Sequence, residues 1–305
     1  MTPDQIVLIQ SAVNGILIGS LFGVVAMGLS LTWGMLKIAN FAHLSFTLLA
    51  AYLAYTLIVD YGVAPPVTLL LIAPLHFFIG MGVQWLFVRF RVTTFTSLLL
   101  TFGLFMVLEN GITYFWSADT ISTRAALPDL YRKALRLPPP FDSFFVLPPD
   151  LIAFGAALLL GGGIYLLLHY TQWGRGVRAM AADPLMAQAY GVNYQRSALL
   201  LAGLATATAG VAGAILAIKT PLFPSITMSW LGVIVAAVIL GGLGNPLGAI
   251  IATCALVVIQ NLWSVQQQPS WAPLIAFSIL VLYLIIMPDT LWQQWQARRR
   301  RKGVL

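Results

Sequence analysis

The sequence predicts an all-α integral membrane protein: a polytopic bundle of about eight or nine transmembrane helices, one or two of them broken or re-entrant. Three observations carry that expectation. Of the 305 residues, 60% are hydrophobic and only 8% charged, whereas a soluble domain carries about a quarter charged residues. The apolar residues gather into runs that approach the roughly 20 residues a bilayer-spanning helix needs. Lipid leaves backbone groups without water, so such runs must satisfy their own hydrogen bonds as helices.

Taken in order, the long runs are Ile6 to Leu31, Val67 to Val88, Leu98 to Trp116, Leu151 to His169 and Ala198 to Ile218. Shorter ones are Leu44 to Val59, Trp230 to Leu240, Leu247 to Trp263 and Pro273 to Met287. Trp116, Trp230, Trp271, Trp292 and Trp295 stand near their ends, as aromatic residues at a membrane interface do. The first run follows Met1-Thr2-Pro3-Asp4, which lacks the positive n-region of a signal peptide, so it is expected to stay in the mature protein. The chain reads as one domain over residues 1–305, with an outer loop at about 117–150, a cytoplasmic loop at about 171–196 and a basic cytoplasmic tail at 296–305.

The formal charge is +7, and five of the sixteen Lys and Arg form the run Arg298 to Lys302. Directly after an apolar segment, that run reads as a cytoplasmic anchor facing the lipid bilayer rather than as a nucleic-acid patch. Arg89 and Arg91 form a second basic group, and Arg175, Arg178 and Arg196 a third. All three face the cytoplasm if the N-terminus is outside and the number of crossings is odd. In the outer loop Arg124, Arg132, Lys133 and Arg136 are matched by Asp119, Asp129, Asp142 and Asp150, and Pro138-Pro139-Pro140 and Pro148-Pro149 stiffen it.

Two stretches interrupt the apolar pattern: Trp33-Gly34 to Asn40-Phe41, and Gly241-Gly242-Leu243-Gly244-Asn245-Pro246. Asn245 suits an N-cap and Pro246 the first helical position, and Asn40 is expected to cap a helix beginning at Phe41. Such paired breaks mark either a substrate path lined by freed backbone groups or ordinary tight loops. Inverted repeats would put the breaks on opposite sides, whereas the charge pattern puts both near the cytoplasm.

The soluble stretch from Gly174 to Asn193 holds a second signal. Asp183 can cap a helix, Pro184 fits its first turn, and Gly191 fits a left-handed stop. The result is a short, doubly capped helix over about Pro184 to Tyr190. It is either a peg that takes up motion from a partner or an amphipathic helix lying on the membrane surface.

The sequence contains no G-x-x-x-x-G-K-[ST] phosphate loop, no H-E-x-x-H and a single cysteine, Cys254, so neither its own ATPase chemistry nor a thiolate metal site is expected. No cofactor is expected either. His169 is expected at an interface, with His76 and Gln84 as polar contacts between helices. Glu109 is the one acid within a span, which makes it either a transport residue or a carboxylate reaching interfacial water.

Four stretches carry a family resemblance: Gly28 to Gly34 continuing through Ile38-Ala39-Asn40-Phe41-Ala42-His43; Leu100 to Gly103 with Glu109-Asn110; Gly174 to Asn193; and Val238 to Ala249. In order and spacing the chain resembles the LivH-type permeases of branched-chain amino-acid ABC transporters. It departs where Leu44 stands in place of a glycine, and where Glu109 replaces a common glutamine. The resemblance implies a subunit without enzymatic activity in a bacterial inner membrane. Its implied partners are a second permease subunit, two cytoplasmic ATP-binding subunits and a periplasmic substrate-binding protein. It also implies that Arg175, Arg178, Asp183 and Gly191 meet the ATPase. The implied pathway runs past Asn40 and His43, Glu109 and Asn110, and Gly241, Gly242, Gly244 and Asn245. The implied solutes are branched-chain amino acids, with urea, amides or other small solutes as the alternative. An ion-coupled transporter would require acids in the spans.

Overall fold

A computed structural model describes residues 3–136, 144–266 and 271–286. The basic tail, Trp292, Trp295, Asp142 and Pro138-Pro139-Pro140 lie outside the described residues. Among the described residues twelve helices and one small hairpin follow each other as α1 (Pro3–Leu36), α2 (Ala42–Val59), α3 (Pro65–Arg89), α4 (Thr94–Trp116), α5 (Asp129–Arg132), β1 (Leu135–Arg136), β2 (Phe145–Val146), α6 (Pro148–Tyr170), α7 (Gln172–Ala182), α8 (Pro184–Ala189), α9 (Tyr194–Lys219), α10 (Ile226–Gly241), α11 (Pro246–Gln266) and α12 (Ala272–Ile286). Seven are long and apolar enough to cross a membrane, and two shorter apolar helices, Ile226–Gly241 and Leu274–Ile286, join them. Each coincides with one of the apolar runs. The chain is therefore an all-α polytopic membrane protein.

Helices α1 and α9 form the centre, with about two thirds or more of their most apolar stretch buried, while α3, α4 and α11 bury only 22% of theirs. Between lipid-soluble helices the hydrophobic effect is weak, so close approach of backbones supplies the attraction. The α1–α11 pairing shows how the sequence does this. Gly15, Gly19 and Gly23 recur every fourth residue along one stripe of α1. A Cβ on them would sit 2.7, 2.6 and 3.1 Å from the Cα atoms of Val258, Cys254 and Ile250. The two helices run antiparallel and in backbone contact, and only hydrogen fits between them. Helix α9 packs on α3 in the same manner through Gly203 and Gly210, against Phe77 and His76. His76 is fully buried, its ring nitrogens 3.1 Å from Ile72 O and 3.2 Å from Phe46 O, which ties α3 to α2 as expected of a polar interhelical contact.

The segments between helices sort to two ends. At one end the 117–147 segment pairs with the 220–225 segment through Ile121 and Leu222, which exchange backbone hydrogen bonds of 2.9 and 2.8 Å. The Gln10 amide completes the hairpin there. It donates to Phe145 O at 2.9 Å and accepts from Phe145 N at 3.2 Å, as a third strand would. The Asp150 carboxylate, in the first turn of α6, pairs with the Lys219 ammonium at the end of α9, both nearly buried. At the opposite end lie Lys37, Arg91, Pro184 and Tyr194, which line one cavity. The charge pattern expects the first of these ends outside and the second in the cytoplasm.

Candidate functional site

Two of the membrane helices begin inside the bundle. Helix α1 continues to Leu36, and the chain then turns at Lys37, whose φ is 58°, and runs as a non-helical link to Phe41 before α2 starts. Its backbone is satisfied by side chains rather than by a helix. Thr101 Oγ1, one to two turns into α4, donates to Ala39 O at 3.0 Å and accepts from Phe41 N at 3.3 Å. Ile38 N reaches Thr32 O at 3.2 Å. Ser45 Oγ then donates to Phe105 O at 3.3 Å, holding the first turn of α2 against α4. The N-terminus of α2 is thus recessed by about 10 Å from the start of α4, at 1.5 Å per residue.

Asn40 and His43 stand at that recess. Asn40 does not cap α2: the helix starts at Ala42 with no side-chain cap, and Asn40 Oδ1 is buried without a hydrogen-bond partner among the described residues. The residue at the cap position is Phe41, itself helical with φ −67°, and Thr101 fixes the backbone on either side of Asn40. His43 is fully buried, its ring packed against Gly28 and turned toward the Val25 backbone.

The second recess has no counterpart among the sequence expectations. After Lys219 the chain Thr220-Pro221-Leu222-Phe223-Pro224-Ser225 returns inward before α10 begins. The Thr227 hydroxyl, in the first turn of α10, donates to the Glu109 carboxylate. Glu109 lies two turns, about 10 Å, short of the end of α4. Trp230, expected at an interface, instead packs on Phe22 at the middle of α1, with ring centroids 5.4 Å apart. Pro221 and Pro224 were the available signal: neither can continue α9, and together they keep the chain extended until α10 nucleates. Helices α2 and α10 therefore present their positive N-terminal ends to one helix, α4, at two levels marked by Thr101 and Glu109.

The remaining candidates are elsewhere. Asn110 is exposed and its amide donates to Met106 O, 2.7 Å away on its own helix. Gly241, Gly242, Gly244 and Asn245 form the tight connection from α10 to α11. Gly242 and Gly244 have φ of 90° and 81°, the left-handed region that favours glycine. Asn245 Oδ1 accepts from Gly248 N at 3.1 Å, so it is the N-cap foreseen for α11, with Pro246 at the first position. This turn docks on α1: Gly244 N lies 3.0 Å from both Ser30 O and Ser30 Oγ, and Gly34 abuts the Gly244 backbone. The two glycine-bearing interruptions thus meet at the same end of the bundle. The turn is nearly the whole length of α10 away from Glu109.

Residues 171–193, read as a loop with one short helix, contain two. Thr171 Oγ1 caps α7 by accepting from Gly174 N at 3.0 Å. Asp183 Oδ1 caps α8, accepting from Leu185 N at 2.9 Å and Met186 N at 3.1 Å. Gly191, with φ 85°, ends the element where foreseen. The Arg178 guanidinium turns back to Leu168 O, a carbonyl in the last turn of α6, while Arg175 is exposed. Val177 and Met180 bury α7 against the bundle, and α8 is left with Leu185, Met186 and neighbouring Tyr190 at 80%, 62% and 88% exposure. His169 is exposed and stacks on Tyr165 with centroids 4.1 Å apart. Among the described residues no group of three or more His, Cys, Asp or Glu is placed to hold a metal ion.

Known proteins place the chain in context. A family model described as branched-chain amino acid transport system / permease component matches residues 11–286. The high-affinity branched-chain amino acid transport system permease protein LivH of Salmonella typhimurium is 24% identical over 304 residues, covering 94% of this chain and 96% of that one. A probable branched-chain amino acid transport permease protein LivH of Methanocaldococcus jannaschii is 26% identical, covering 91% and 88%. The high-affinity permease protein BraD of Pseudomonas aeruginosa is 25% identical, covering 94% and 96%. No solved structure matches the chain.

Proposed function

We propose that this chain, which belongs to the family of branched-chain amino acid transport system permease components, is the membrane-spanning subunit of an ATP-driven importer of leucine, isoleucine and valine in a bacterial inner membrane. Its relatives carry such names along nearly their whole length. The observation that carries the coupling is the α7–α8 element. Leu185 and Met186 stand exposed on a short helix, with Tyr190 just after it, and the helix is capped at Asp183, stopped at Gly191 and anchored to the bundle through α7 and Arg178. A rigid peg of that kind, offering apolar surface on the end expected to face the cytoplasm, suits a soluble motor subunit.

Two ATP-binding subunits would close on ATP and push α8, and with it α6 and α9, on this chain and on a second permease subunit. A periplasmic substrate-binding protein would deliver solute at the opposite end. The family is one of transport components, and the chain has no phosphate loop of its own, so the energy enters through the partners. The pathway would pass along α4. Asn40, His43 and the recessed end of α2 would form one station, Glu109 with Thr227 and the recessed end of α10 another. Thr101 and Glu109 are about 12 Å apart along α4, far more than the separation of ammonium and carboxylate in one amino acid. The two stations would therefore hold the solute in succession, each weakly.

The test is uptake by proteoliposomes holding the chain with its ATP-binding and solute-binding partners. Labelled leucine should enter only with ATP on the motor side, and unlabelled isoleucine and valine should compete. Entry of urea or an amide in place of leucine would move the substrate to the alternative within the family. Uptake driven by an ion gradient without ATP would overturn the reading and make Glu109 the coupling carboxylate.

A further inference from the structure

Where the two interhelical links at the cytoplasmic end approach each other, they leave a cavity of about 460 Å³. It is bounded by the 36–38 link after α1, the 91–94 link between α3 and α4, and Pro184 and Tyr194 from the coupling segment. Two cations line it, Lys37 and Arg91, both exposed. Among the described residues neither side chain has an ion-pair or hydrogen-bond partner. Both also hold a backbone conformation that side-chain-bearing residues rarely adopt, with φ of 58° at Lys37 and 51° at Arg91. They are two of the three non-glycine residues with positive φ among those described. Glycine or asparagine would relieve that strain at either position. Both stand at left-handed residues that end helices, and at Arg91 the bonds from Val92 N to Phe87 O and from Arg91 N to Val88 O complete that stop; what singles them out is that two exposed cations without partners face one cavity. The rest of the lining is amphipathic: Phe87, Val88 and Leu36 supply an apolar wall, and Gln84, Thr93 and Tyr194 supply hydrogen-bonding groups. Around it Trp85, Phe90 and Phe95 project outward at 55%, 72% and 75% exposure, as aromatic side chains do at headgroup level.

We infer that this cavity seats the phosphate headgroup of an anionic phospholipid from the cytoplasmic leaflet. Lys37 and Arg91 hold the phosphate, Thr93 and Tyr194 complete its hydrogen bonds, and the acyl chains run along the exposed faces of α3 and α4. Basic pockets between membrane helices on the cytoplasmic side bind such headgroups, and Arg matches phosphate geometry with its planar fork. Because Pro184 and Tyr194 share the lining, the bound lipid braces the coupling segment against the bundle. The inference rests on the cavity and on the orientation proposed above, and holds whatever solute is carried.

The experiment uses the full-length chain in a neutral detergent, with its thermal midpoint followed on titration with a short-chain phosphatidylglycerol, with the matching phosphatidylcholine, and with inorganic phosphate. Phosphatidylglycerol should raise the midpoint while the other two do not. The double variant Lys37→Asn/Arg91→Asn should bind it roughly thirty-fold more weakly, as the loss of two interfacial cations implies. Its midpoint without lipid should be at least that of the wild type, since asparagine tolerates the left-handed backbone. Arg89→Gln, a neighbouring cation that does not line the cavity, should respond as the wild type does. An equal response to phosphatidylcholine, an undiminished response in the double variant, or a shift produced by inorganic phosphate alone would each overturn the assignment.

Discussion

The α1–α11 seam allows a prediction with its own control. A Cβ at Gly19 would lie 2.6 Å from Cys254 Cα, 3.2 Å from Cys254 N and 3.3 Å from Thr253 O. Carbon atoms in good contact stand about 3.5–4.0 Å apart, so Gly19→Ala forces the two helices apart by about 1 Å. The obstacle is backbone and cannot rotate away. Overpacking of this kind costs about 1–3 kcal/mol. The same substitution also gains up to about 1 kcal/mol of helix propensity. Gly162, within α6, isolates that second contribution, because a Cβ there meets nothing within 4 Å. Gly162→Ala should leave stability unchanged or raise it slightly. Gly19→Ala should fall below Gly162→Ala by about 1–3 kcal/mol, a few degrees in midpoint. Thermal unfolding of the detergent-purified protein, followed by loss of the monodisperse peak on heating, measures both. Equal midpoints for the two variants would show that the seam is looser than its geometry and would refute the close-approach argument.

Three further outcomes follow from other parts of the bundle. Lys219→Met leaves the Asp150 carboxylate buried without its partner and should cost about 3–5 kcal/mol, whereas Lys219→Met with Asp150→Asn should recover much of that; thermal midpoints of the single and double variants decide it. Asp183→Ala removes the acceptor for two N–H groups of α8 and should loosen that helix by about 1 kcal/mol, so hydrogen exchange should rise over residues 184–189 and not over α9. Glu109→Gln keeps an acceptor for the Thr227 hydroxyl and should retain transport within a few-fold, while Glu109→Leu strands that hydroxyl and should lose far more; uptake rates that fall equally in both would mean the charge itself is required.

Much of the fold was legible because lipid makes the code simple. All nine apolar runs became helices, and their ends fell within a few residues of the apolar boundaries, since the same property that fills a span also defines it. Local chemistry was legible where one residue acts on its neighbours, as at Asp183, Gly191, Asn245 and Pro246. What sequence concealed depended on depth and on distant partners. Helix α7 was missed because Gly174 and Gly176 read as loop. In the structure Gly174 instead lets α7 lie against the α6 backbone at Leu167 and Leu168. The recess before α10 was missed because a short apolar run gives no sign of how far into the bundle it starts. The type of Asn40 suggests a cap, yet its placement is set by Thr101, far along the chain on α4. The glycine-rich turn at 241–245 has the composition of a pathway break, yet each glycine answers a local need: Gly241 abuts the Gly248 backbone, Gly242 and Gly244 hold positive φ, and Gly34 on α1 closes on the Gly244 backbone.

The most direct test of the account is a comparison of wild type with Gly191→Pro in proteoliposomes holding the complete transporter, scoring leucine uptake and ATP hydrolysis together. Proline cannot adopt the φ of 85° held by Gly191, so the variant displaces the end of the peg and leaves the spans intact. The account predicts ATP-dependent uptake in the wild type. In the variant it predicts lost uptake from an assembled complex whose hydrolysis no longer responds to solute. Undiminished uptake in the variant would contradict the assignment of α8 as the coupling element, and uptake indifferent to ATP in the wild type would contradict the importer itself.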